Sequence, residues 1–211
     1  MSDFHNPEAA LRLSLQKLQT DYVDLYLVHW PAGFFQPEKK NQVPIHVLYP
    51  QLEALHKEGL ARGLGVSNFN LQMIADLLCY CQVKPVCNEI ELNPTLAQGD
   101  LCKFMKSVDI VPIAYTPVSR LGERDNSQYD GKDFMSICER HGKTQAQVML
   151  HWAVARGTIP IPRSGSIGHI LENIAVYDFK LSEQELEQVS ALDKTFRICD
   201  RYFGDGVSFF A

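Results

Sequence analysis

The chain has 211 residues, 45% of them hydrophobic, with 20 Lys and Arg against 25 Asp and Glu and a net charge of −5. A chain of this length and composition can bury a sizeable core, and we expect a single domain over residues 1–211. The acidic balance excludes a general electrostatic attraction to nucleic acid or to an anionic membrane. No secretory signal pattern and no run of about 18 apolar residues occurs, so we expect a cytoplasmic protein without a membrane segment.

The chain contains six cysteines, and their spacing does not indicate a metal site. None of them forms a CxxC pair or has a neighbouring pair of histidines, and most lie in apolar segments. We therefore predict buried, reduced thiols and no bound metal. The six are Cys79, Cys81, Cys87, Cys102, Cys138 and Cys199.

Helix signals and apolar strands alternate along the chain. Asn6 and Pro7 predict the start of a first helix, with Leu11, Leu15 and Leu18 on its apolar face. Five strands are predicted, over 23–28, 63–66, 86–92, 110–115 and 158–162. Further helices are predicted over 46–58, 71–81, 98–106, 132–141, 144–156, 167–176 and 182–192. Ser182 and Glu185 have the spacing of a capping box, which predicts the start of the last helix.

The strands are nearly continuous apolar runs, and the helices between them are amphipathic. This pattern indicates a parallel sheet covered by helices, either a doubly wound sheet or a barrel, and periodicity does not choose between the two. Only five strands are predicted, and a complete eight-stranded barrel usually needs about 250 residues. Two long segments, 30–45 and 116–131, have the length of functional loops.

Four motifs follow predicted strands, where parallel α/β proteins place their ligand sites. They are LQTDYVDLYLVHWP at 18–31, GLGVSNF at 63–69, NEIELNP at 88–94 with AYTP at 114–117, and IPRS at 161–164. In this order the motifs resemble the aldo-keto reductases, and the resemblance covers nearly the whole chain. It implies an α/β fold of the (β/α)8 TIM-barrel type, truncated to about the last five strands and their helices, with a substrate-loop tail over 193–211.

The resemblance implies reduction of aldehydes and ketones to alcohols by hydride transfer from NADPH. His29 matches the catalytic histidine that hydrogen-bonds the substrate carbonyl oxygen; an isolated histidine here would instead be a core residue. Ser67 and Asn68 match the pair that holds the nicotinamide carboxamide, with a helix N-cap as the alternative. Tyr115 matches the aromatic residue on which the nicotinamide stacks, and Trp30 matches a residue of the substrate pocket.

Other matched positions concern the rest of the cofactor. Glu89 stands where most members have glutamine, and a carboxylate can only accept hydrogen bonds unless it is protonated. Arg163, Ser164 and Ser166 match the clamp on the adenosine 2′-phosphate, ahead of a predicted helix N-terminus. His169 stands where the family commonly has an arginine, so the resemblance leaves NAD(H) open beside NADP(H).

Glu172 and Asn173 match contacts to adenine, with a solvated helix face as the bland alternative. The segment 116–127 could fold over the pyrophosphate, or be a mobile basic loop. The aromatic tail over 201–211 matches the substrate-pocket end of the family and is expected to pack over the barrel mouth.

The family's catalytic aspartate, tyrosine and lysine belong to three βα units that precede the matched region. We expect this chain to lack them, to be catalytically impaired, and to self-associate through two open sheet edges. Two function classes follow: an NADPH-dependent carbonyl reductase acting on a small-molecule carbonyl substrate, and a non-catalytic relative that binds a nucleotide or a protein through its open sheet edge. We favour the first because a binding module has no chemical need for His29.

Overall fold

The computed structural model describes residues 6–31, 43–119 and 131–199, together with 202–203, 207–208 and 210 near the C-terminus. The chain divides into two compact units. The first contains Met1–Glu89, Lys103–Ile110 and Asp200–Ala211, and the second contains Ile90–Cys102 and Val111–Cys199.

The first unit alternates helices and strands as the sequence predicts. Its elements are α1 (Pro7–Leu18), β1 (Val23–Val28), α2 (Ile45–Lys57), β2 (Ala61–Ser67) and α3 (Leu71–Leu78). Asn6 caps α1 by accepting a hydrogen bond from the backbone of Ala9, and Leu11 and Leu15 are its buried face. The phenol of Tyr49, wholly buried on α2, donates to the carbonyl oxygen of Val83 at 3.0 Å.

The second unit contains β4, β5 and the last helices. Its elements are β4 (Val111–Tyr115), α5 (Lys132–His141), α6 (Gln145–Ala155), β5 (Ile159–Pro160), α7 (Ile167–Ile174), a 3-10 turn (Ala175–Tyr177) and α8 (Glu183–Ser190). Helix α6 is buried along most of its length, and the indole of Trp152 donates to Ser190 on α8 at 2.9 Å. Capping boxes at Thr144 and Ser182 begin α6 and α8.

The strands form one sheet in the order β1-β2-β3-β4-β5, where β3 is Cys87–Glu91. The pairs β1–β2, β2–β3 and β4–β5 are parallel, and at least one helix lies between consecutive strands, α4 (Gly99–Ser107) being the one between β3 and β4. Both β3 and α4 contribute residues to each unit. A parallel sheet in chain order with intervening helices confirms the predicted α/β class and its five strands.

Several boundaries differ from the predictions. Strand β5 is only two residues long because Pro160 and Pro162 have no N–H to extend the ladder. Helix α7 ends at Ile174 and gives way to the 3-10 turn. A short antiparallel pair, β6 (Tyr202–Phe203) with β7 (Val207–Ser208), was not predicted from the sequence.

The cysteines form no disulfide. The prediction that they are buried is confirmed for Cys87, Cys102 and Cys138, but it is wrong for Cys79, which is exposed, and for Cys81 and Cys199, which are half-buried. Among the described helices, none combines the length and the apolar character needed to cross a membrane. Residues 32–42 and 120–130, which make up most of the two long loops, lie outside the described residues, as does much of the tail.

Candidate active site

Three side chains stand in a row at the carboxyl ends of the first unit's strands. The register pairs Val28 with Val66, and Ser67 with Glu89. His29 follows Val28 directly, so it lies in line with Ser67 and Glu89. We call His29, Ser67 and Glu89 the strand-end row. Because neighbouring strands are about 4.8 Å apart, the Cα atoms of its outer members lie about 10 Å apart across the sheet.

Ser67 and Glu89 point to the same face of the sheet, and the alternation along β1 predicts the same face for His29. A Cβ added at Gly65 would meet the Cys87 sulfur at 2.6 Å and the Leu27 side chain at 3.1 Å, so these three positions share one face. Side chains alternate along a strand, and each member of the strand-end row lies two residues further on. A side chain at position 65 would thus clash with Cys87 and Leu27, two residues before the strand-end row, which explains why this position is a glycine.

Asn68 connects all three strand ends of this row. Its backbone has a φ of +64°, the left-handed conformation that asparagine tolerates better than most residues. Its side-chain nitrogen donates to the carbonyl oxygen of His29 at 2.9 Å and to the hydroxyl of Ser67 at 3.1 Å, and its backbone N–H donates to the carbonyl oxygen of Glu89 at 2.9 Å. The alternative that Ser67 and Asn68 cap a helix is wrong, because Asn70 caps α3.

Ser67 is almost wholly buried and already has a partner for its proton. Its hydroxyl donates to the carbonyl oxygen of Glu89 at 2.8 Å and accepts from Asn68. A hydroxyl oxygen has two acceptor positions. Ser67 can therefore accept one more hydrogen bond, but it cannot donate one without giving up the bond to β3.

Glu89 is a half-buried acid with an unusual environment. Burial raises the pKa of its carboxyl above the ordinary range. Within the described ranges of the chain, no side chain or backbone N–H forms an ion pair or a hydrogen bond with this carboxylate. Its neighbour Cys87 is held as a neutral thiol, since burial, with a contribution from the charge of Glu89, raises the pKa of Cys87 to about 11.

Two aromatic rings lie beside His29, the first member of the strand-end row. His29 is exposed to solvent, and its ring centroid lies 6.3 Å from that of Trp30. The Trp30 indole in turn lies 6.0 Å from the ring of Phe210, at an interplanar angle of 50°. One aromatic residue of 201–211 thus lies beside Trp30, and most of the other residues of this range lie outside the described part, so its packing over the barrel mouth stays a prediction.

In the second unit, Tyr115 ends β4 and the predicted phosphate clamp surrounds the start of α7. Tyr115 is half-buried, and its carbonyl oxygen accepts from the N–H of Leu92 at 3.3 Å. Arg163 and Ser166 are exposed, and the hydroxyl of Ser164 accepts from the N–H of Ser166 at 3.1 Å. Ser166 stands at the N-cap position of α7 but forms no side-chain capping bond there.

The remaining predicted residues lie along α7. His169 is exposed in the first turn of the helix, while Glu172 and Asn173 are half-buried in its second half. The carbonyl oxygen of Glu172 accepts from the Gln147 side chain of α6 at 3.1 Å, and Asn173 lines a cavity of about 660 Å³. The structure thus brings Arg163, Ser164, Ser166 and His169 to one helix end.

Comparisons with known proteins decide the family. The sequence pattern of the "Aldo/keto reductase family" matches residues 5–194. The chain belongs to this family. It is 37% identical over 215 aligned positions to aldo-keto reductase family 1 member A1 of Bos taurus, covering 92% of this chain and 65% of the relative. It is 34% identical over 202 positions to aldose reductase B of Dictyostelium discoideum, covering 88% of this chain and 64% of the relative.

Solved aldo-keto reductases share the fold. A Bombyx mori aldo-keto reductase, AKR2E4, in complex with NADP matches with a TM-score of 0.84 at 32% identity, covering 91% of this chain and 64% of that structure. A second, AKR2E5 complexed with NADPH, matches with a TM-score of 0.83 at 31% identity, covering 92% of this chain and 61% of that one. This chain therefore spans less than two thirds of the length of these relatives.

Two residues of this aldo-keto reductase chain that carry structural roles were not predicted from the sequence. Glu91 on β3 is wholly buried, and its carboxylate accepts from the N–H groups of Ile198 at 2.6 Å and Cys199 at 2.7 Å. It therefore anchors the backbone at Ile198 and Cys199, within the range 193–211. His151 on α6 bonds to the carbonyl oxygen of Val176 at 2.8 Å and accepts from the N–H of Leu181 at 3.3 Å, which anchors the chain after α7. A buried acid within a strand was the only sequence signal for Glu91.

Proposed function

We propose that this chain provides NADP(H)-dependent carbonyl-reductase chemistry of the aldo-keto reductase type. The strand-end row carries the proposal, because it sets a solvent-exposed histidine in line with Ser67 and Glu89 at the strand ends where parallel α/β proteins bind ligands. The bound cofactor would supply a hydride to the carbonyl carbon of an aldehyde or ketone. The protein's residues orient the two reactants and stabilise the oxygen that becomes negative.

His29 is the residue that we assign to the carbonyl oxygen. Its ring is exposed beside Trp30, so a small carbonyl compound can reach it. An imidazole N–H directed at the carbonyl oxygen orients the carbonyl and stabilises the negative charge that develops during reduction. Trp30, in contact with Phe210, would form one wall of the substrate pocket.

The nicotinamide carboxamide would bind through its nitrogen at the strand-end row. The Ser67 hydroxyl donates its proton to the carbonyl oxygen of Glu89, so it can only accept a hydrogen bond from a ligand. An ionised Glu89 carboxylate can also only accept. Asn68 fixes both strand ends. We assign Tyr115 of the second unit to stacking on the nicotinamide ring.

The second unit would hold the adenosine end of the cofactor. Arg163 with the hydroxyls of Ser164 and Ser166 suits a dianionic 2′-phosphate at the uncapped start of α7. We assign His169 to the same phosphate, and Glu172 and Asn173 to adenine. Because a histidine here is a weaker cation than an arginine, we propose that NADP(H) is preferred and that NAD(H) also binds.

Turnover by these 211 residues would be slow. The matched motifs contain no tyrosine and lysine pair that could deliver a proton to the developing alkoxide. Positioned general acids typically contribute about 10²–10⁴-fold to a rate, so we propose a catalytically impaired reductase. We further propose a cytoplasmic location, which agrees with six cysteines and no disulfide.

The test is a titration of the purified chain with NADPH followed by tryptophan fluorescence. We expect saturable quenching that weakens at least tenfold in Arg163→Ala and little in Lys132→Ala, a matched removal of positive charge at the start of α5 instead of α7. A chain that binds no NADPH, although circular dichroism shows it folded, would contradict the proposal.

Self-association through the β5 edge is a second candidate function, favoured by one observation in the second unit. An apolar groove of about 660 Å³ runs beside β5, and Ile159, Ile174 and Tyr177 in it are each more than half exposed. Such patches mark protein interfaces. If a second copy covers the groove, Ile174→Lys should lower the sedimentation coefficient of the chain; an unchanged monomeric value for both proteins would contradict it.

A further inference from the structure

The carboxylate of Glu89 has no charged or hydrogen-bonding partner among the residues that the structure describes. A half-buried ionised carboxylate loses part of its hydration, and this loss is normally compensated by a cation or by N–H donors. Neither is supplied by the described residues, and burial raises the pKa of this carboxyl. The free energy of the charge therefore depends on what binds beside it.

The described neighbours of Glu89 in its own strand and in β2 carry no positive charge. Cys87, two residues earlier on the same face, is a neutral thiol, and Ser67 in the adjacent strand is a neutral hydroxyl. The oxygen of that hydroxyl faces a ligand only as an acceptor, since its proton is bonded to the Glu89 carbonyl oxygen. This part of the strand-end row consists entirely of acceptors, and a positively charged ligand suits such a surface best.

The two forms of a nicotinamide cofactor differ in charge at the ring. When the reduced ring transfers a hydride, its C4–H bond breaks with both electrons, a new C–H bond forms at the carbonyl carbon, and the carbonyl oxygen takes up a proton from solvent. The ring that remains is a pyridinium with one positive charge, whereas the reduced ring is neutral. A nearby carboxylate therefore interacts differently with the two forms.

We infer that Glu89 makes the nicotinamide end of the site discriminate between the two oxidation states, so that the chain binds NADP⁺ more tightly than NADPH. This inference rests on the proposed function, because it places the nicotinamide beside the strand-end row. Opposite charges a few ångströms apart near a protein surface interact strongly enough to change a dissociation constant by about tenfold after partial solvent screening. A neutral glutamine at position 89 would lack this preference.

The same charge has a consequence for the reaction. As the ring becomes positive during hydride transfer, Glu89 stabilises that charge, which makes the bound reduced cofactor a better hydride donor. The oxidised product is then held longer after the transfer. Glu89 is thus a specificity-determining residue for the oxidation state of the cofactor.

The experiment compares dissociation constants of NADPH and NADP⁺ by calorimetry for the full chain and three variants. Glu89→Gln removes the charge and keeps the shape, Glu89→Asp keeps the charge, and Asp76→Asn removes an exposed carboxylate from α3 as the matched control. We expect the ratio of the NADPH to the NADP⁺ constant to fall about tenfold in Glu89→Gln. In Asp76→Asn the ratio should remain near that of the wild-type chain. In Glu89→Asp, which keeps the charge, the ratio should be higher than in Glu89→Gln.

The role of Glu89 and the binding of the cofactor can fail separately in this experiment. Equal ratios in the wild-type chain and Glu89→Gln, with both cofactors bound, would overturn the role of Glu89 and leave the proposed function standing. If neither cofactor binds the folded wild-type chain, the proposed function fails and the inference fails with it. Circular dichroism of each variant checks that the comparison is made between folded proteins.

Discussion

At the scale of single residues, Asn68 by itself forms hydrogen bonds to all three members of the strand-end row. One buried amide bonds to His29 and Ser67, while its own backbone N–H bonds to Glu89. The sequence identified Asn68 through its motif, but only as a ligand contact. Its bracing role depends on a positive φ and on strand register, and neither can be predicted from a single sequence.

Replacement of Asn68 should separate the two contributions of this residue. In Asn68→Ala, the side-chain bonds are lost and alanine, which tolerates the left-handed conformation less well than asparagine, must keep a φ of +64°, so we expect the free energy of unfolding to fall by about 3 kcal/mol. Asn68→Gly removes the same bonds without the backbone strain and should lose about 1 kcal/mol less. Urea unfolding measures both, and equal losses would show that the backbone conformation contributes nothing.

Glu185 gives the structure a defined response to acid. Its burial opposes ionisation, but hydrogen bonds from Ser182, His141 and Arg140 together outweigh that effect and lower the pKa of Glu185 to about 2. An acid whose pKa is lowered in the folded state contributes stability above its ordinary pKa, and that stability disappears as the pH falls toward the folded value.

Glu185→Gln should therefore lower the free energy of unfolding by about 2 kcal/mol at neutral pH, where the charge-assisted bonds are complete. The difference between variant and wild type should shrink as the pH is lowered from about 5 to about 2. Urea unfolding at a series of pH values measures this. A difference that stays constant over the range would contradict the role of the charge; Glu187→Gln, an exposed acid on the same helix, is the control.

At the scale of elements, α6 positions α7. Gln147 bonds to the carbonyl oxygen of Glu172, and His151 joins Val176 to Leu181. The Leu181 N–H donates to Nε2 of His151, so the ring proton is assigned to Nδ1, where it is donated to Val176. The position of α7, to which we assign the cofactor phosphate, thus depends on a buried helix whose polar residues were not predicted from the sequence.

His151→Phe preserves the ring contact with Phe179, 4.6 Å away, and removes both hydrogen bonds. We expect a loss of about 2 kcal/mol in the free energy of unfolding, faster amide exchange at Leu181, and weaker NADPH binding. His46→Phe, an exposed ring on α2, is the matched control and should change none of these. Unaltered exchange at Leu181 in His151→Phe would contradict the anchoring role.

The elements also show which parts of the fold the sequence could predict. Asn6 and Pro7 predicted the start of α1, and the apolar run at 23–28 predicted β1 at the bounds the structure gives. Strand β5 was predicted too long because Pro160 and Pro162 lie within an apolar run that periodicity counts as strand. Glu91 was missed because its partners, Ile198 and Cys199, are more than 100 residues away.

At the scale of the whole molecule, the open question is cooperativity. The chain forms two compact units, whereas composition and length predict a single domain. Each unit contains one tryptophan, Trp30 in the first and Trp152 in the second. This distribution allows the unfolding of each unit to be followed separately.

Single-tryptophan variants test the single-domain prediction. In Trp152→Phe the remaining fluorescence comes from Trp30, and in Trp30→Phe it comes from Trp152. In each variant we expect the urea transition followed by fluorescence to coincide with the loss of helical circular dichroism. Trp152 is wholly buried, so its replacement will lower the midpoint, and each variant is therefore its own reference. A fluorescence transition separate from the helical one in either variant would show that the two units unfold independently.

Above all, we propose that this chain directs a hydride from NADPH to a carbonyl carbon through the strand-end row. The most direct measurement incubates the chain with an aldehyde and NADPH that carries deuterium at both C4 positions of the nicotinamide, and analyses the alcohol by mass spectrometry. We predict one deuterium at the former carbonyl carbon, formed slowly, and at least tenfold less of it with His29→Ala. Alcohol without deuterium, or the same amount of deuterated alcohol from His29→Ala, would contradict the claim.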